Sequence, residues 1–98
     1  MTLDSVIHAP ARLRIVAALA QLGAGDQLSF SRLQAELDMT AGNLSTHVRR
    51  LEDADYVLVE KTYRRRTPVT YVSLTDAGRA ALARYRSELQ HILGGTNV

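Results

Sequence analysis

The 98-residue chain contains no cysteine, which excludes disulfide bonds, thiolate metal sites and a cysteine nucleophile. A chain without thiols suits a reducing compartment, and a cytoplasmic protein is expected. No apolar run approaches the roughly 20 residues needed to cross a bilayer. The opening MTLDSVIHAP also lacks the basic stretch and long apolar run of a secretory leader. A glycine-rich phosphate loop, a nucleophile elbow and a metal triad are all missing, so the residues support no enzyme class. Asp53 and Asp55 stand close together, but solvated acids at a helix end are their ordinary explanation. Strong net charge is absent too: twelve Lys and Arg oppose ten Asp and Glu, giving +2. A chain this short is one domain, 1–98, with a modest core that burial against a second copy would enlarge.

The charge that is present lies unevenly. Residues 1–40 carry three basic and four acidic side chains, residues 41–98 carry nine and six, and Lys61 to Arg66 alone contributes +4. Local basic patches, rather than totals, mark a surface that binds a polyanion. The run RRRTP separates YVLVEKTY from VTYVSL, two segments rich in β-branched and aromatic residues. They predict a hairpin with Arg64, Arg65 and Arg66 at its tip and Pro68 restricting the turn.

The remainder of the chain reads as helices. Pro10 suits a first helical turn, and Leu13, Val16, Leu19 and Ala20 follow at helical spacing before Gly23 and Gly25 end the helix. QLSF predicts a short strand, with Ser29 or Ser31 available to cap a second helix carrying Leu33 and Leu37. Thr40 can cap a third helix running to about Ala54, with Leu44, Val48 and Leu51 as its apolar stripe. Thr75 can cap a last helix whose Ala81, Leu82, Tyr85, Leu89 and Ile92 share one face, and Gly94 and Gly95 stop it.

Two short helices joined by a tight turn and followed by a hairpin make a winged helix-turn-helix, mainly α with a small β-hairpin wing. In that arrangement the second helix of the pair enters the major groove of duplex DNA. It needs an apolar face toward its own domain and an opposite face of short polar groups and arginines, because acids there would be repelled by phosphate. AGNLSTHVRR, residues 41–50, contains no acid. Asn43, Ser45, Thr46 and Arg49 are the candidates for reading bases. Arg50, Lys61, Arg64, Arg65 and Arg66 are the candidates for holding phosphate. His47 lies on the flank, where a structural or phosphate-contacting role outweighs a catalytic one.

MTAGNLSTHVRRLEDADYVLVEK followed by YVSLTDAGRAAL resembles the winged-helix transcriptional regulators of the MarR/ArsR-like group, over roughly residues 9–93. The resemblance implies a regulator that binds double-stranded DNA, with Thr40, Gly42, Asn43, Ser45, Thr46 and Arg49 at groove-facing positions. One departure stands at Asp55, where the family usually has glycine after the groove helix. Asp tolerates a left-handed conformation better than most residues, so the turn is expected to survive.

The chain ends are expected to dimerise. Segments about 1–8 and 76–93 read as terminal helices, and Leu3, Val6, Ile7, Tyr85, Leu89, Ile92 and Leu93 supply more apolar surface than the small core requires. A homodimer on a pseudo-palindromic operator follows. The alternative reading is a winged helix used for protein–protein contact, since fold alone does not dictate function. Glu88 and His91 form Glu-x-x-His, yet two ligands per chain make a thin metal site and a solvated helix face explains them equally well. His8 is isolated. No cofactor is expected, and with no separate sensing domain any small-molecule effector would sit at the dimer interface.

Overall fold

The computed structural model describes residues 2–94. Seven elements follow in order: α1 (Pro10–Ala20), β1 (Gln27–Ser29), α2 (Phe30–Leu37), α3 (Ala41–Asp53), β2 (Val57–Arg64), β3 (Thr67–Leu74) and α4 (Asp76–Ile92). The three strands form one antiparallel sheet in the order β1-β3-β2. Ile15, Val16 and Leu19 of α1 meet Leu33 and Leu37 of α2, Leu44, Val48 and Leu51 of α3, and Val57, Val72 and Leu74 of the sheet in one core. Ile15 is absent from the expected stripe of α1, whose buried surface is broader than one helical row.

The helix starts follow their caps. Ser29, rather than Ser31, accepts a hydrogen bond from the Arg32 N–H and opens α2. Thr40 and Thr75 accept from Asn43 and Gly78 and open α3 and α4. The helix ends share a device. Asp38 (φ 53°) and Asp55 (φ 65°) both take the left-handed conformation after α2 and α3. The amides that follow, Met39 and Tyr56, donate back to Gln34 and Leu51, so the last turns keep their carbonyls satisfied. Asp55 therefore does at the end of α3 what glycine does more cheaply elsewhere.

That joint also positions the wing. The Thr75 hydroxyl donates to the Asp55 carbonyl at 2.7 Å, and the Thr75 amide donates to the Tyr56 carbonyl at 3.1 Å. Gly78 lies so close that a Cβ there would come 2.1 Å from the Tyr56 oxygen. Only glycine allows α4 to press on the start of β2, which locks the exit of α3, the root of the hairpin and the entry of α4 together.

The N-terminal segment differs from the expected helix over about 1–8. Asp4 accepts from the amides of Val6 and Ile7 and so caps a single turn, which stops before Pro10 starts α1. The turn is pinned from several sides: Tyr56 donates to Asp4, Arg12 donates to the Val6 carbonyl, and His8 bonds Tyr85 at 2.9 Å. Burial raises the Asp4 pKa, but the Tyr56 hydroxyl, the two amides and the Arg84 charge together outweigh it and hold the carboxyl below its usual range. The hydrogen bond to Asp4, aided by burial, raises the Tyr56 phenol.

Ile7 and Tyr85 are buried with Ala81 in a satellite cluster, with Leu3 and Leu89 packed half-buried against it, and Val6 packs on the main core. Ile7 and Tyr85 thus spend their apolar surface inside the chain. Ile92 and Leu93, 54% and 75% exposed, are what α4 leaves open at its end. No helix among the described residues is long and apolar enough to cross a membrane.

Candidate nucleic-acid interface

The helix α3 presents two contrasting sides. Leu44, Val48 and Leu51 are buried, and the cap on Thr40 fixes the first turn. On the other side Thr40, Gly42, Asn43, Ser45, Thr46, Arg49 and Arg50 are all exposed. The Thr46 hydroxyl donates to the Gly42 carbonyl at 3.0 Å, which leaves its lone pairs free to accept. A Cβ added to Gly42 would meet no atom within 4 Å. The domain's own packing does not require glycine there, and the bare backbone is open to whatever approaches. Acids enter only in the last turn, at Glu52 and Asp53.

The hairpin is tighter than expected. Its turn holds two residues, Arg65 and Arg66, and the strands pair from Val57–Leu74 out to Arg64–Thr67. Both turn residues have positive φ, 52° and 67°, the geometry of the turn whose twist matches the flanking strands. Pro68 is therefore no part of the turn. It pairs with Tyr63 inside β3, next to the hydrogen-bonded pair that closes the hairpin, so its missing N–H faces away from β2. Since β1 pairs only with residues 71–73, no neighbouring strand needs that donor.

Alternation along β2 separates the basic residues. Lys61 shares its face with Val57 and Val59, toward α3, whereas Arg64 shares the opposite face with Leu58 and Glu60. Lys61, Val59 and Thr70 line a cleft of about 560 Å³ with Ser45, Val48, Arg49, Glu52 and Asp53 of α3. Arg64 instead borders a shallow pocket of about 390 Å³ with Arg32, Ser29, Ser31 and Tyr71. The wing's charge is thus divided, with Lys61 partway along one face, Arg64 on the other near the end, and Arg65 and Arg66 on the tip itself.

Two of the basic residues not singled out from the sequence lie against these elements. Arg32 follows the cap of α2 and joins Arg64 only because β1 lies beside β3; its contact with Glu36 at 3.5 Å is exposed and weak. Arg12 of α1 reaches His47 of α3 across 35 residues of sequence, a juxtaposition that only the fold creates. Glu88 and His91 lie near the end of α4, and among the described residues no three His, Asp or Glu are placed to hold a metal ion.

A family model described as a winged helix DNA-binding domain matches residues 11–93. The structure of a transcriptional regulator homologue from Pyrococcus horikoshii superposes with a TM-score of 0.83 at 33% identity, covering 97% of this chain and 91% of that one. AbsC, a MarR family transcriptional regulator from Streptomyces coelicolor, matches with a TM-score of 0.69 and 22% identity over 82% of this chain and 53% of its own. The homodimeric winged helix-turn-helix DNA-binding domain of a possible ArsR-family regulator from Mycobacterium bovis gives a TM-score of 0.70 at 15% identity, with 95% and 80% covered. At these last two identities the likeness is one of fold. With α3 and the wing arranged as described, this chain belongs to the winged-helix DNA-binding family of transcriptional regulators, with the fold that MarR and ArsR proteins share.

Proposed function

We propose that the chain is a cytoplasmic regulator that binds double-stranded DNA as a homodimer on a pseudo-palindromic operator. The observation that carries this reading is the two-sidedness of α3: a face free of acid from Ala41 to Arg50, opposite a row locked into the core, beside a hairpin tipped with arginine. Asn43, Ser45, Thr46 and Arg49 read base edges in the major groove, where amide and guanidinium groups form paired hydrogen bonds. Thr40 and Gly42 let the first turn of the helix approach closely. Arg50, Lys61, Arg64, Arg65 and Arg66 hold phosphates and carry most of the sequence-independent affinity.

Dimerisation is supported by Ile92 and Leu93, left exposed at the end of α4, and by Leu89 and Leu3, only half-buried against the Ile7–Ala81–Tyr85 cluster. The homodimeric Mycobacterium bovis domain offers a precedent in the same fold. Two copies related by a twofold axis would present two reading helices to successive major grooves, and a palindromic site mirrors that symmetry.

Selection from a random duplex library with the purified protein tests both parts. The expected result is an enriched sequence with two inverted half-sites about one helical turn apart. Binding without enrichment would leave a non-specific DNA binder. No salt-sensitive binding at all would favour a protein-contact module. A protein that sediments as a monomer at micromolar concentration would remove the homodimer.

A further inference from the structure

The reading helix has a second edge, and the structure gives it a chemistry that the wing lacks. Ser45, Arg49 and Glu52 line the side of α3 that faces the wing. His47 lies on the other side, half-buried, with Asn43 and Arg50 one turn away. Facing it is Arg12 of α1, whose Nε donates to the Val6 carbonyl at 2.6 Å and whose second terminal nitrogen donates to the Ser5 carbonyl at 3.4 Å. The remaining terminal nitrogen lies 3.4 Å from Nδ1 of His47. Those carbonyls belong to the pinned N-terminal turn, so the guanidinium is held from behind and cannot simply swing away.

Arginine only donates hydrogen bonds. A ring nitrogen facing it must therefore offer a lone pair, because an N–H there would set two donors, and in the charged ring two cations, against each other. The contact is loose at 3.4 Å, but even a weak bond tolerates only one of these proton arrangements. The neutral ring carries one proton, so the proton sits on Nε2. In the neutral ring, Nε2–H is then the donor left on this flank of α3, on the side away from the wing.

We propose that Arg12 is a positioning residue for His47, and that the His47 Nε2–H donates to a phosphate of the DNA strand opposite the one met by the wing. The proposal rests on the DNA-binding reading above and deepens it: α3 would be flanked by the wing's cations on one side, and on the other by Arg50 together with a neutral, oriented donor. The two kinds of contact have different signatures. Arginines release counterions and steepen the dependence on salt. A neutral donor adds a directional hydrogen bond to a charged acceptor with little effect on that slope.

Glutamine and asparagine separate the two ring positions, since a Gln side chain can place an N–H near Nε2 and the shorter Asn only near Nδ1. His47→Gln should keep duplex affinity within about twofold. His47→Asn and His47→Ala should lower it about 10-fold or more for each bound protomer, on specific and random duplexes alike, the size expected for one hydrogen bond to a charged group, with the salt slope unchanged. In the free protein, nitrogen-15 NMR of the His47 ring above neutral pH should show the proton on Nε2. Arg12→Met, which keeps much of the apolar stem, should return the ring to a mixture of tautomers and weaken DNA binding toward the His47→Ala level. Equal affinities for the Gln, Asn and Ala variants would overturn the phosphate contact, as would a salt slope that falls with His47→Ala. A ring whose tautomer ignores Arg12→Met would overturn the positioning role. A protein that binds no duplex would overturn the DNA-binding reading and the phosphate contact with it, whereas the NMR measurement needs no DNA and decides the positioning role by itself.

Discussion

The helix α3 and the wing are held in opposite ways. One long side of α3 is inside the core, its first turn is capped by Thr40, and its last carbonyls accept from Asp55 and Tyr56, whose own carbonyls accept from Thr75 at the start of α4. The outer half of the hairpin, residues 60–68, is exposed throughout and is held by little besides its own strand pairing. The anchored element carries short polar side chains, Asn43, Ser45 and Thr46, whose hydrogen bonds demand accurate placement. The projecting element carries long arginines, which need only reach a line of charge. Under the proposed function, rigidity is concentrated where geometry would decide specificity, and reach where electrostatics would decide affinity. Substitutions should therefore disturb folding in one region and binding alone in the other.

The largest separation should come from removing an anchor. Leu51 is fully buried, and Leu51→Ala should destabilise the protein by about 2–5 kcal/mol through lost burial and the cavity left behind. Tyr63 on the wing is 73% exposed, and Tyr63→Ala should change stability by less than about 0.5 kcal/mol. Chemical denaturation of both variants checks the contrast. Similar losses would mean that the wing is packed in a way its exposure does not reveal.

Within the binding surface, Arg49→Ala should cost roughly 1–3 kcal/mol of affinity for the preferred site and relax the preference at one base position in each half-site, if Arg49 grips a guanine edge. Competition binding with duplexes altered at single positions measures this. A uniform loss on every sequence would move Arg49 from the reading group to the phosphate group, and the division between helix and wing would blur.

Much of this division is legible in the amino-acid order, and the remainder is hidden for identifiable reasons. Thr40, Thr75, the stripe Leu44–Val48–Leu51 and the absence of acid before Glu52 mark α3 and its outer face directly, because caps and helical spacing are local. The left-handed Asp55 also follows from local chemistry. The two-residue turn does not, since Asn and Gly, not arginine, are the usual signs of positive φ. Pro68 then looks like a turn residue when it is a strand residue. The separation of Lys61 from Arg64 is implicit in the alternation of β2, but a row of like charges draws the eye as a single patch. Ile7 and Tyr85 show a deeper limit. Apolar spacing reveals that a side chain will be buried, but it does not distinguish burial within the chain from burial against a copy. Arg12 opposite His47 leaves no local mark at all.

The turn itself sharpens the comparison further. Left-handed conformations cost non-glycine residues on the order of 1 kcal/mol each, so Arg65 and Arg66 occupy positions where Asn and Gly would fold better. The double replacement Arg65→Asn with Arg66→Gly should raise stability by about 1 kcal/mol, seen as a higher Tm. It should also make the slope of log affinity against log salt shallower by up to about 3.6, for four phosphate contacts per dimer at roughly 0.9 each. A higher Tm with an unchanged salt slope would leave the tip arginines without a role in DNA binding, and the wing would be a solvated loop.

The smallest expected effect lies on the anchored side and uses the same logic. Gly42 sits in the first turn of α3 with a helical backbone, and a Cβ there would meet nothing within 4 Å. Glycine costs a helix up to about 1 kcal/mol relative to alanine, because more backbone freedom is lost on folding; near a helix end the cost should be nearer 0.5 kcal/mol. Gly42→Ala should therefore stabilise the free protein slightly. If the groove-facing backbone must come close to the duplex, the added methyl should at the same time weaken specific binding several-fold, with less effect on random DNA, whose looser complexes do not require that approach. Thermal melting and binding to specific and random duplexes, measured on one preparation, give both quantities. Unchanged specific affinity alongside the higher Tm would place the closest approach elsewhere on α3, toward Asn43, Thr46 and Arg49, and the helix would read bases through side chains alone.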